Sequence, residues 1–92
     1  MSTAPEKVEE YAEILSTLGN VNRLRIVFLL RTGTKKVGDI SRHINQSQSS
    51  TSQHLAALRA QNIVNTKRNG NEIYYGFNPD GPLNFIHWEK FT

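Results

Sequence analysis

The sequence predicts a mainly α domain that carries a single β-hairpin. Three observations predict it. Apolar residues recur at three- and four-residue spacing through successive short segments from Val8 to Leu58. From Ile63 to Phe77 the pattern becomes strand-like and is punctuated by Asn69-Gly70. Between these regions, Ser47 to Arg59 places a dense polar face and a strict apolar stripe on one short helix. Arg68 follows nine residues after Arg59, so a basic hairpin comes directly behind a polar helix. That order is the winged helix-turn-helix arrangement, in one domain spanning residues 1–92.

Each element has a local cause. Pro5 suits a first helical position, and Val8, Tyr11, Ala12, Leu15 and Leu18 give the first helix, over 5–18, an apolar stripe. Gly19-Asn20 ends it. The second helix runs from about Asn22 to Arg31; Leu24, Ile26, Val27, Phe28, Leu29 and Leu30 leave it little polar surface and make it the central core helix, with Gly33 as its stop. A helix-turn-helix unit follows over 37–61. Val37, Ile40 and Ile44 mark its first helix, with Asp39 near the start, where the dipole favours a carboxylate. Ser47 is the expected N-cap of the second, which turns Leu55 and Leu58 to the core with Thr51 at the shallow edge, and ends near Gln61-Asn62.

The wing is expected over 63–77. Asn69-Gly70 suits the central places of a type I′ turn, which would set Lys67 opposite Glu72 and Thr66 opposite Ile73, with Ile73, Tyr75 and Phe77 against the helices. Pro79 to Pro82 is a break. A short apolar tail over 82–92, with Leu83, Phe85, Ile86, Trp88 and Phe91, reads as a closing helix.

The formal charge of +3 is unevenly spread: residues 1–20 net −3, leaving +6 on the rest. The first helix is therefore repelled by a polyanion to which the remainder is suited. The absence of cysteine removes disulfides, thiolate metal ligation and thiol redox chemistry. No apolar run approaches the roughly 20 residues of a membrane span, and Met1 to Glu6 lacks the basic start of a signal peptide, so a cytoplasmic protein with no membrane partner is expected. No glycine-rich phosphate loop, carboxylate pair or nucleophile–base spacing points to an enzyme.

A helix that reads duplex DNA exposes short and medium polar side chains near its N-terminus. Gln48, Ser49, Ser50, Ser52, Gln53 and His54 fit that requirement. Glutamine amides match adenine in the major groove, and serine hydroxyls take phosphate oxygens. His54 has two readings, an outward contact to DNA or a partly buried ring hydrogen-bonded within the motif. Lys67, Arg68, Asn69 and Asn71 form a wing tip suited to phosphate or the minor groove. Arg42 and Arg59 flank the motif as phosphate contacts, Arg59 alternatively as a structural ion-pair residue. Lys35 and Lys36 are read as exposed loop charges with weaker claims.

At these residues the sequence resembles the ArsR/SmtB family of small winged-helix repressors. Four stretches carry the resemblance: Leu18 to Ile26, Val37 to Ile40, Ser47 to Arg59 and Lys67 to Tyr75. The resemblance implies a homodimer joined through the first and last helices, in which each subunit offers a recognition helix to half of a palindromic double-stranded operator. It also implies repression, relieved by a metal or other signal. Ser49, Ser50, Ser52, Gln53 and His54 resemble its recognition-helix positions, and Arg68 and Asn71 its wing contacts. Two departures argue against its metal sites. The region of the thiolate pair reads Lys36-Val37-Gly38-Asp39, and the last helix offers only His87 and Glu89, two apart and so on different faces. No cofactor and no metal site are expected; Asp39 or His43 joining His87 across a dimer is the one route left.

Tyr11, Leu15, Leu83, Phe85, Ile86, Trp88 and Phe91 exceed what one small subunit hides, which predicts a dimer interface. The competing reading folds Trp88 and Phe91 back on their own core. The rival to DNA binding as a whole is a winged-helix protein-interaction module, an adaptor or antagonist of another regulator.

Overall fold

The computed structural model describes residues 5–84 and Lys90. In chain order these form α1 (Pro5–Leu18), α2 (Val21–Leu30), β1 (Lys35–Lys36), α3 (Val37–Ile44), α4 (Gln48–Ala60), β2 (Val64–Asn69) and β3 (Glu72–Phe77). The strands make one antiparallel sheet in the order β1-β3-β2.

The core lies where α2, α3 and α4 meet. Ile26, Val27, Leu30, Ile40, Ile44, Leu55 and Leu58 are buried there, joined by Ile63 and Val64 at the entry to the wing. Ile14 and Leu18 of α1 and Tyr75 and Phe77 of β3 pack around this centre. Each large aliphatic side chain fully withdrawn from water contributes about 1.5–3 kcal/mol, so this cluster fixes the mutual angles of the three helices.

Turn chemistry sets the connections. Asn20 does more than end α1: it is the N-cap of α2, its Oδ1 accepting from the N–H groups of Asn22 at 2.9 Å and Arg23 at 3.1 Å. Asn45 closes α3 in the left-handed conformation at φ 57. Ser47 then starts α4, its Oγ accepting from the Ser50 N–H at 3.0 Å. Asn62, at φ 60, turns the chain from α4 into β2, and the Ile63 N–H reaches back to the Leu58 carbonyl at 3.0 Å.

Four details differ from the sequence reading. Thr51 is not at an edge but fully buried, its hydroxyl donating to the Ser47 carbonyl at 2.8 Å. The hairpin register is two residues from the expected one: Lys67 faces Tyr74, Thr66 faces Tyr75 and Asn69 faces Glu72. The loop is therefore Gly70-Asn71, with positive φ at Gly70 alone, the pattern of a II′ turn and not of I′. Ile73 is 42% exposed, because the hairpin tip projects past the helices while Tyr75 and Phe77 stay over them. Leu83, grouped by sequence with the interface, is 2% exposed and belongs to this subunit's own core.

Strand β1 has no counterpart in the sequence reading. Two lysines carry no alternation signal, yet Lys35 and Lys36 pair with Tyr75 and Tyr74 and tie the front of α3 to the wing. Of the expected interface residues, Phe85, Ile86, Trp88 and Phe91 lie outside the described residues, as do His87 and Glu89. No helix among the described residues is long and apolar enough to cross a membrane.

Candidate nucleic-acid interface

The polar side chains of the α4 segment divide into two sets. One set is occupied within the chain. Ser47 caps the helix, Thr51 bonds back to it, and the Ser50 hydroxyl donates to Gln46 Oε1 at 3.5 Å. His54 is half-buried and accepts a hydrogen bond at Nδ1 from Arg23 Nε at 3.3 Å. The other set faces solvent: Gln48, Ser49, Ser52 and Gln53 are exposed and have no hydrogen-bond partner among the described residues. Their outward face follows from the burial of Thr51, Leu55 and Leu58 on the opposite side of α4. Of the sequence-predicted readers, Ser50 and His54 thus carry internal bonds and the remaining four are free to meet a ligand.

The second reading of His54 describes its Nδ1 side. Burial, and then the charge of Arg23, lower its pKa from the ordinary histidine value. The sequence marks Arg23 only as polar surface of the second helix, because its partner lies 31 residues away.

The wing adds the positive charge. Lys67, Arg68, Asn69 and Asn71 are all exposed at its tip. The register separates them by face: Arg68 stands opposite Ile73 on the side of Tyr75, whereas Lys67 stands opposite Tyr74 on the other. Lys36, read as a loop charge, is committed elsewhere. Its Nζ contacts Glu72 Oε2 at 3.0 Å, and the Tyr74 hydroxyl donates to Glu72 Oε1 at 3.1 Å. The hydrogen bond from Lys36, with that from Tyr74 behind it, holds the Glu72 carboxyl below the usual carboxylate range, and Glu72 in turn raises Lys36.

The two regions meet at one cleft of about 430 Å³, lined by Lys36, Asp39 and Arg42 at the α3 side, Gln48 at the start of α4, and Asn71 and Ile73 of the wing. The first residue of the polar helix and the tip of the basic hairpin therefore border the same opening. Arg42 is paired with Asp39 one turn earlier on α3, with its side chain still 73% exposed. Arg59, in the last turn of α4, forms no ion pair among the described residues and stays exposed. His43 is exposed on α3, and no group of three His, Cys, Asp or Glu gathers among the described residues.

Comparison with known proteins agrees with this fold. The family model described as bacterial regulatory protein, arsR family, matches residues 20–66, from the N-cap of α2 to the middle of β2. The nodulation protein NolR of Rhizobium meliloti is 39% identical over 90 residues, covering 94% of this chain and 74% of NolR. The transcriptional repressor SdpR of Bacillus subtilis is 32% identical over 75 residues, covering 82% of this chain and 83% of SdpR. Among solved structures, NolR from Sinorhizobium fredii superposes with a TM-score of 0.77 at 40% identity, over 87% of this chain and 83% of that one. A homodimeric winged helix-turn-helix DNA-binding domain from Mycobacterium bovis superposes with a TM-score of 0.74 at 26% identity, over 84% of this chain and 74% of that one. By its sequence, the four helices and three-stranded wing among the described residues and the extent of these matches, the chain belongs to the ArsR family of bacterial transcriptional regulators.

Proposed function

We propose that the chain is a sequence-specific double-stranded DNA-binding repressor that acts in the cytoplasm as a homodimer on a palindromic operator, without the metal sites of its sensor relatives. The observation that carries this reading is the shared border of the cleft between Gln48 and the wing, with a row of Ser49, Ser52 and Gln53 beside it that is unpartnered among the described residues. Such a row is neutral, so it reads base edges by hydrogen bonds. Glutamine amides pair with adenine N6 and N7, and serines with either base edge or phosphate. Arg42, Arg59, Lys67 and Arg68 supply the phosphate contacts that hold the register.

Homodimerisation is supported by α1. Ile14 and Leu18 serve the subunit's own core, whereas Val8, Tyr11 and Leu15, 53%, 52% and 67% exposed, form a second stripe on the same helix. Apolar rows of this kind mark a self-complementary surface. The Mycobacterium bovis domain is itself described as homodimeric. Glu9, Glu10 and Glu13 flank the stripe and keep α1 away from phosphate.

Fluorescence anisotropy with random duplex DNA at two salt concentrations, followed by selection of bound sites from a random pool, tests the reading. Binding that weakens steeply with salt, and a two-fold symmetric selected site, are expected. No binding at low salt overturns it in favour of a protein-interaction module.

A further inference from the structure

One guanidinium joins three helices. Arg23 sits in the first turn of α2, where its backbone N–H is held by Asn20 Oδ1. Its Nη1 donates to the Thr17 carbonyl at 3.3 Å, in the last turn of α1, and its Nε donates to His54 Nδ1 at 3.3 Å, on α4. The Thr17 carbonyl is one of the last four of its helix, which have no partner within it, and the helix dipole favours a cation there. An imidazole that accepts at Nδ1 has its lone pair at that atom, so the neutral ring carries hydrogen on Nε2. An Nε2–H is a donor, suited to a phosphate oxygen or to purine N7.

We propose that Arg23 is a positioning residue for DNA recognition, fixing His54 as an Nε2–H donor on α4 and tying α4 to the end of α1. The proposal rests on the DNA-binding reading above. Because α1 bears the exposed apolar stripe, a tie between α1 and α4 governs how the recognition helices of a dimer are set towards two half-sites. Protonation of His54 fills Nδ1, abolishes the acceptor and places a second cation against Arg23. Among the described residues, Arg23 on α2 is the charged group whose field acts on this ring; towards α1, Arg23 itself meets the neutral Thr17 carbonyl. Acid therefore opens the tie and lowers discrimination, although the added positive charge favours DNA of any sequence.

Two measurements on the full chain test this. Nitrogen-15 NMR of the imidazole rings reports the His54 tautomer directly: Nε2–H is expected in the wild type and a mixture in Arg23→Gln. A dominant Nδ1–H form in the wild type overturns the proposal. The second readout is the ratio of affinity for a selected operator to affinity for random duplex, followed between about pH 5 and 8. The wild-type ratio is expected to fall about tenfold towards the acid end, the effect of losing one hydrogen bond to a charged group. Arg23→Gln is expected to be low throughout. In His54→Asn an amide oxygen accepts from Arg23 without titrating, so its ratio is expected to be flat. A flat wild-type ratio, or Arg23→Gln tracking the wild type, overturns the proposal. Should Arg23→Gln fail to fold by circular dichroism, the wild-type tautomer and the His54→Asn profile decide. Absence of random-duplex binding by the wild type at about 50 mM salt overturns the DNA reading itself, whereas retained binding with a flat ratio overturns only the role of Arg23.

Discussion

Arg23 and His54, 31 residues apart, share a hydrogen bond of 3.3 Å that requires the imidazole to be neutral. Burial and the neighbouring guanidinium both lower the folded-state pKa of His54 below its ordinary value. The folded chain then binds fewer protons than the unfolded one just below pH 6.5, the ordinary histidine value. Stability from this site is complete above that pH and is lost as pH falls through the lower folded-state value. Urea midpoints measured from pH 7.5 down to 5 are expected to decline in the wild type and to decline less in His54→Asn. Equal acid sensitivity in both would show that other groups dominate.

Ser47 is the next lever. Its side chain satisfies the Ser50 N–H, one of the donors α4 cannot satisfy internally. Ser47→Ala is expected to cost about 1 kcal/mol, and Ser47→Gly only a few tenths. An unchanged denaturant slope with a lower midpoint would confirm that the loss is in stability alone.

The legibility of these features in sequence follows their range. Ser47 and Asn62 were readable because a cap and a left-handed turn are decided within a few residues. The wing was half-readable. Asn69-Gly70-Asn71 contains both an Asn-Gly and a Gly-Asn pair, and the chain uses the second. The resulting shift of two residues preserves the strand parity, so Tyr75 and Phe77 turn inward in either register while every cross-strand partner differs from the expected one. Arg23–His54 and Lys36–Glu72 span 31 and 36 residues, and no local pattern announces either. That α4 carries a polar face is legible in its composition, but which of its hydroxyls are already occupied depends on the caps.

Gly81 fills a place where a side chain has no room. A Cβ there would run into the Asn62 carbonyl oxygen, with Asn78 Nδ2 at 3.1 Å on another side. Asn78 Nδ2 also donates to that carbonyl at 3.0 Å, so the turn that ends α4 and the loop leading to Leu83 are built against each other. Gly81→Ala is expected to cost about 1–3 kcal/mol as an overpacking change. A thermal midpoint equal to wild type would mean the loop moves aside freely.

Leu15 tests the association of subunits separately from the fold. It is 67% exposed within one chain, so replacing it removes little of the subunit's own packing. Leu15→Glu is expected to convert a dimer to a monomer by light scattering while leaving the helical circular dichroism intact. Affinity for a two-fold operator then falls towards that of one half-site. A variant that stays dimeric would move the interface away from this face of α1.

The wing charges make the last prediction. Lys67 and Arg68 are exposed and unpaired among the described residues, and they stand on opposite faces of β2. Each phosphate contact contributes about 0.9 to the slope of log affinity against log salt, so one substitution in a dimer removes about two units. Lys67→Ala and Arg68→Ala are each expected to lower that slope accordingly, and an unchanged slope would take that residue off the phosphate backbone. Glu72 works in the opposite sense. Its carboxyl is held ionised by Lys36 and Tyr74 well into mild acid, so it keeps one negative charge and one neutralised lysine beside the cleft. Glu72→Gln releases Lys36 and is expected to strengthen binding to random duplex a few-fold at low salt, with the gain vanishing as salt rises. Loss of affinity in Glu72→Gln would instead make the ion pair a requirement for holding the wing in place.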